Sequence, residues 1–97
     1  MVMTILEARV LKENWSTLEQ VYQGGAQHRD PGLEQSFLIH SSKDVELWRI
    51  LTVWHSREAL DEMRKSNETP RGVLMFRSAK AEPTLSIFNI VQQITPE

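Results

Sequence analysis

Three imidazoles, His28, His40 and His55, are the groups in this chain best suited to moving protons, because a His side chain titrates near neutral pH. They stand too far apart in sequence for a compact zinc motif. His55 lies between Trp54 and Ser56, where a strand gives way to a helix. It is a candidate general base, and its plainer reading is a solvent-facing side chain at a helix entrance. His40, beside Ser41 and Ser42 near a strand end, sits either at a pocket mouth or exposed on a hairpin; His28 falls in a loop. Glu34 and Glu46 are too scattered to make a carboxylate pair, and Asp61-Glu62 with Arg64-Lys65 reads as the solvated face of a helix. Gly24-Gly25 is accounted for as a helix stop and resembles no phosphate loop.

Composition removes other chemistries. The chain has no Cys, which excludes a disulfide scaffold, a Cys-based zinc site, an iron–sulfur cluster and a thiol nucleophile. Its formal charge of −2, without a run of Lys and Arg, argues against a nucleic-acid partner, which would need basic patches. At 97 residues, with 40% hydrophobic and 25% charged side chains, one domain with one core is expected. The first ten residues include Glu7 and Arg9 and hold no apolar run of signal-peptide length. No stretch reaches the ~18 apolar residues of a membrane span. A cytoplasmic address and no membrane partner are therefore expected.

The elements that must position these groups can be read from periodicity. Residues 2–11 form a strand whose smoother, more apolar parity (Val2, Thr4, Leu6, Ala8, Val10) should face helices. Asn14 is an N-cap candidate for a helix carrying Trp15, Leu18, Val21 and Tyr22, ended at Gly24-Gly25. His28-Arg29-Asp30-Pro31-Gly32 is turn chemistry. Residues 33–41 and 46–54 read as a strand pair joined through Ser42-Lys43-Asp44. Ser56 caps a second helix with Glu58 in its first turn and Ala59, Leu60 and Met63 on its inner stripe. Thr69-Pro70 starts a short further turn that docks Val73, Leu74 and Phe76, and residues 84–94 make the last strand. The order β-α-β-β-α-β is the ferredoxin-like α+β arrangement with an antiparallel sheet.

Two strands are apolar on both parities. Leu47, Leu51 and Val53 oppose Trp48, Ile50 and Trp54 on one; Leu85, Ile87 and Val91 oppose Phe88, Ile90 and Ile94 on the other. A strand apolar on both faces must be covered on both, and the helices can cover only one. A homodimer formed through sheet faces is expected to cover the second. Arg49, on an otherwise apolar parity, is expected to pair with Glu7 or with an acidic residue across the dimer. Trp48 shares its parity with Trp54 and is expected to line the same space or the dimer seam.

The run Ile50-Leu51-Thr52-Val53-Trp54-His55-Ser56-Arg57-Glu58-Ala59-Leu60 resembles the antibiotic biosynthesis monooxygenase (ABM) family, in which a strand ending in Trp passes through Ser into a helix opening with Glu-Ala-Leu. Pro31-Gly32 ahead of the second strand, and the hairpin that follows, also fit. The resemblance implies a dimeric α+β barrel. It implies one of three activities: oxidation of quinols or aromatic polyketides by O₂ without added cofactor, haem degradation, or none known. Where the haem-degrading branch has an Asn, a Trp and an iron-ligating His, this sequence has Ala8, Met63 and Val73. The His that the quinol-oxidising branch often has on its second helix is missing from Leu60-Asp61-Glu62-Met63-Arg64.

The function expected from the resemblance is a cofactor-independent monooxygenase acting on a small aromatic or quinol-type substrate held between sheet and helices. Its pocket residues would be Trp54, Met63, Phe76 and Tyr22, with His55 or His40 handling protons. Such a substrate reacts with O₂ once deprotonated, so shape, desolvation and a few polar groups suffice. The alternative is a non-catalytic dimeric module that binds a small apolar or aromatic ligand. Haem degradation ranks last, because Ala8 cannot hydrogen-bond oxygen, Met63 lacks the rigid bulk of Trp, and Val73 cannot ligate iron.

Overall fold

A computed structural model gives the architecture and describes residues 1–25, 30–66 and 69–96. His28 and Arg29 lie outside them. The elements are β1 (Val2–Arg9), a 3-10 turn (Lys12–Asn14), α1 (Trp15–Gly25), β2 (Leu33–His40), β3 (Leu47–Trp54), α2 (Arg57–Ser66), α3 (Arg71–Ser78) and β4 (Thr84–Asn89). The strands build an open antiparallel sheet in the order β2-β3-β1-β4, the ferredoxin-like α+β topology.

Register follows the apolar alternation. Val2 lies opposite Trp54, Thr4 opposite Thr52, Leu6 opposite Ile50 and Ala8 opposite Trp48. All eight are buried under the helices, as the β1 parity predicts, because a one-residue slip would turn every one of them to the other face.

The strands are shorter than their hydrophobic runs, for reasons visible in the hydrogen bonds. β1 leaves the sheet after Arg9, where the Trp15 indole N–H donates to the Val10 carbonyl at 2.8 Å and turns the chain into α1. β4 stops at Asn89 rather than reaching Ile94. The last bond to β1's side is the Ile90 N–H on the Met1 carbonyl at 3.0 Å. Val91 and Ile94 are left 88% and 94% exposed.

Gly24 and Gly25 are the last described residues of α1, as expected, but neither is left-handed; among the described glycines only Gly32 has a positive φ. Gly25 serves a different purpose. A Cβ there would overlap the Met75 methyl group, so its bare backbone lets α3 pack against α1. Asn14 ends the 3-10 turn, and its backbone N–H bonds the Leu11 carbonyl at 2.8 Å.

α3 is a full two-turn helix where only a short turn was expected. Phe76 is completely buried and Val73 half-buried, whereas Leu74 points outward and is 49% exposed. Helical spacing puts Val73 and Phe76 on one face and Leu74 off it. The helix ends with Lys80 at φ 59°, the Lys80 N–H on the Arg77 carbonyl (3.0 Å) and the Ala81 N–H on the Phe76 carbonyl (2.9 Å). That double bond pattern satisfies the last carbonyls.

Loop chemistry locks the hairpin and the helix entrance. The Ser41 hydroxyl accepts from the Lys43 and Asp44 N–H groups at 3.2 and 3.0 Å. Asp44 in turn holds Arg9. The guanidinium hydrogen bond keeps the Asp44 carboxyl below its ordinary range. A depressed folded value means that this tie is present at neutral pH and is lost as pH falls through that value. At α2 the Ser56 hydroxyl accepts from the Ala59 N–H at 3.1 Å, the cap the sequence predicts.

Asp30-Pro31-Gly32-Leu33 is a tight turn, closed by the Leu33 N–H on the Asp30 carbonyl at 3.1 Å, with Gly32 at φ +84° in the third position. A Cβ on Gly32 would also overlap Ala59 of α2. Gly32→Ala is expected to destabilise the protein by at least about 2 kcal/mol, combining left-handed strain with overpacking. Thermal melting would then fall by roughly 8 °C or more for a domain of this size. An unchanged melting temperature would contradict this account of the turn.

Candidate active site between the sheet and the helices

The helix side of the sheet carries two separate apolar clusters. Leu6, Ala8, Trp48 and Ile50 pack with Leu18 of α1 and Phe76 of α3 at one end; Val2 and Trp54 pack with Leu60 of α2 at the other. Between them lies a polar level. Ser36, Thr52 and Thr4 are cross-strand neighbours on β2, β3 and β1. Above this level is a cavity of about 290 Å³.

Strand and helix each supply part of its wall. The sheet provides Thr4, Leu6, Ser36, Ile50, Thr52 and Trp54, α2 provides Leu60 and Met63, and α3 provides Val73 and Met75. Tyr22 reaches in from α1, and Gly72 brings α3 close, since a Cβ there would stand 2.5 Å from Leu6 Cδ1. Asp30, Glu34, Arg64 and Arg71 add charged groups to the lining. The interior is thus largely apolar, with hydroxyls on the floor and ionic groups about it, a form suited to a small ring-shaped ligand.

Two hydrogen bonds anchor the polar level. The Trp54 indole N–H donates to Thr4 Oγ1 at 3.1 Å, and the Tyr22 hydroxyl lies 2.8 Å from Ser36 Oγ. Trp54 is only 4% exposed, so it is at once a packing residue and part of the cavity wall. The signal for Thr4 was present in sequence, as the one polar residue on the inward parity of β1. Ser36 and Thr52 share inward parities too, but only strand register brings all three abreast.

The residues singled out from sequence separate in space. Trp54, Met63 and Tyr22 come together on the cavity wall. Phe76 does not line it; the residue is sealed in the α1–α3 cluster behind the wall. His55 is also outside the lining, with a 73% exposed side chain whose Nδ1 is 3.0 Å from Glu34 Oε1. Glu34 is the member of that pair on the cavity wall. His40 lies at the opposite end of the sheet, its Nδ1 donating to the Val45 carbonyl at 3.1 Å and its ring 4.7 Å from Trp48.

Trp48 belongs to that distant cluster. It lies neither on the cavity wall nor on the open face of the sheet, and its buried indole N–H has no partner among the described residues. Arg49 does pair with Glu7, at 2.6 Å, on the open face, where both are half-exposed. Ala8, Met63 and Val73 also divide: the latter two line the cavity and Ala8 does not. Among the described residues no group of His, Asp and Glu is placed to hold a metal ion, and no helix is long and apolar enough to cross a membrane.

Comparison with known proteins places this geometry. The profile of the antibiotic biosynthesis monooxygenase family matches residues 1–72. The chain belongs to the antibiotic biosynthesis monooxygenase family. No curated protein matches it. Among solved structures, a Deinococcus radiodurans protein provisionally assigned to the ABM monooxygenases is similar over 100% of this chain and 99% of its own, at TM-score 0.76 and 11% identity. SnoaB, a cofactor-independent oxygenase from Streptomyces nogalater, is similar over 99% of this chain and 97% of its own, at TM-score 0.70 and 18% identity. MhuD, crystallised with two manganese protoporphyrin IX molecules per active site, is similar over 99% and 100%, at TM-score 0.73 and 19% identity. At these identities the neighbours establish the shared fold, and the ABM cavity must be read from its own side chains.

Thr4→Val keeps the shape of the floor but strips the acceptor from the buried Trp54 N–H. It is expected to cost about 1–3 kcal/mol in urea unfolding, the penalty for an orphaned buried donor. An unchanged midpoint would remove this bond from the account of how Trp54 is held.

Proposed function

We propose that this ABM protein is a cofactor-independent monooxygenase acting on a small aromatic or quinol-type substrate in the cavity between sheet and helices. The observation that carries the reading is the cavity itself: about 290 Å³, mostly apolar, floored by hydroxyls and walled by Trp54 and Met63. The ABM profile and the similarity to a cofactor-independent oxygenase support it.

The chemistry fits so sparing a site. An electron-rich ring bearing an acidic CH₂ loses a proton, and the resulting anion passes one electron to O₂. Recombination of the two radicals makes a C–O bond. Loss of the remaining C–H proton with cleavage of the O–O bond leaves a carbonyl and water, so the substrate supplies every electron. The protein's part is to exclude water, hold the ring and stabilise the anion. Glu34, with His55 behind it, is the proton-handling candidate on the cavity wall.

One observation favours a second reading, a module that binds such ligands without oxidising them: among the described residues no His lines the cavity. O₂ consumption over a panel of dihydroxy-aromatic and anthrone-like compounds separates the two. Uptake above the buffer blank for at least one compound is expected, and uptake equal to the blank across the panel returns the protein to the binding reading. Haem is not proposed as the substrate, because Val73 and Met63 occupy the wall where an iron ligand and a rigid Trp would be needed.

We further propose that the working form is a homodimer joined through the open faces of two sheets. Phe37, Leu51 and Ile5 lie abreast on that face, with Phe37 48% and nearby Phe88 53% exposed. Contiguous exposed apolar surface of this kind marks an interface. Sedimentation at micromolar concentration should give a dimer, and Ile5→Lys should shift it to monomer. A wild-type monomer under those conditions would rule the assembly out.

A further inference from the structure

Resting on the reading of the cavity as an aromatic-ligand site, we propose that Thr52, flanked by Thr4 and Ser36, selects ligands carrying a ring oxygen that accepts hydrogen bonds. Thr52 sits at the centre of the polar level, between Thr4 on β1 and Ser36 on β2. It is only 8% exposed and lines the cavity, yet none of the hydrogen bonds among the described residues uses its hydroxyl. Buried hydroxyls are normally partnered, and one left open toward a cavity is a place for a ligand atom.

Hydrogen counting shows what the floor can donate to that ligand atom. An indole N–H can only donate, so Thr4 Oγ1 accepts from Trp54 and keeps its own hydrogen to give. Tyr22 and Ser36 share one hydrogen bond between two hydroxyls, so one of their two hydrogens is also left over. With the Thr52 hydrogen, the floor keeps three hydrogens that these two bonds do not use, and an oxygen that becomes negatively charged can only accept them. A carbonyl or phenolate oxygen completes such a row, whereas a plain hydrocarbon would leave the hydroxyls unpaired on desolvation. The same donors would stabilise negative charge on that oxygen as the ring is deprotonated, which makes Thr52 a specificity and positioning residue for the proposed oxidation.

The test compares two bicyclic probes by equilibrium dialysis: α-tetralone, whose ring carbonyl only accepts, and tetralin, which has no oxygen. Thr52→Val keeps the branched shape and strand preference and removes only the hydroxyl. It should weaken α-tetralone about tenfold while leaving tetralin within twofold, and Thr52→Ser should restore the ketone. Thr52→Ala, scored against the same pair after thermal melting shows it folded, should repeat the selective loss. Equal effects on both probes, or no effect on either, would overturn the assignment while leaving the cavity's ligand reading intact. If neither probe binds the wild-type protein, the ligand reading falls and the assignment falls with it.

Discussion

Apolar packing on the helix side of this sheet is interrupted at one level, where Ser36, Thr52 and Thr4 lie side by side. Burying a Val or Leu there would contribute about 1.5–3 kcal/mol each, so hydroxyls at that level trade core stability for a polar surface. The consequence is a core in two pieces. α1 and α3 close over Leu6, Ala8, Trp48 and Ile50, while α2 closes over Val2 and Trp54. The cavity occupies the space between, and its lining residues come from both pieces.

Keeping that space open requires walls that do not collapse inward. Trp54 is held by its hydrogen bond to Thr4 and Tyr22 by its bond to Ser36, so each large side chain is tied to the floor. Gly25 leaves room for the Met75 side chain of α3, and Gly72 for the Leu6 and Ile50 side chains of the sheet. Gly32 does the same between the β2 entrance and α2. The helices thus pack closely at the edges of the cavity, where these glycines make room for side chains from the facing elements.

The other face of the sheet obeys a different logic. Met3, Ile5, Leu51 and Phe37 form an apolar field beside the Glu7–Arg49 ion pair. In one chain the pair is half-exposed, where such a bridge contributes little stability. In an assembly covering the face it would become buried, and its value would then lie in fixing how two sheets register. The cavity and the exposed apolar field thus lie on opposite faces of the same four strands, so β1 and β3 turn their even-numbered residues toward the helices and their odd-numbered residues outward.

Periodicity by itself determined the strands and helices, the inward parity of β1, the Ser56 cap and the ferredoxin-like order, because each depends on residues close together in the chain. The resemblance to the ABM family, rather than periodicity, marked Trp54, Met63 and Tyr22 as pocket residues. Tertiary structure alone decided which groups share the cavity. Phe76 reads in sequence like any apolar residue of a docking helix, but the rotation of α3 turns it away from the cavity. His55 adjoins Trp54 in the chain, and strand alternation sends the two in different directions, leaving Glu34 to face the cavity in its place. The row of hydroxyls was the least legible feature, because Thr4, Ser36 and Thr52 lie far apart in sequence and become one surface only through strand register.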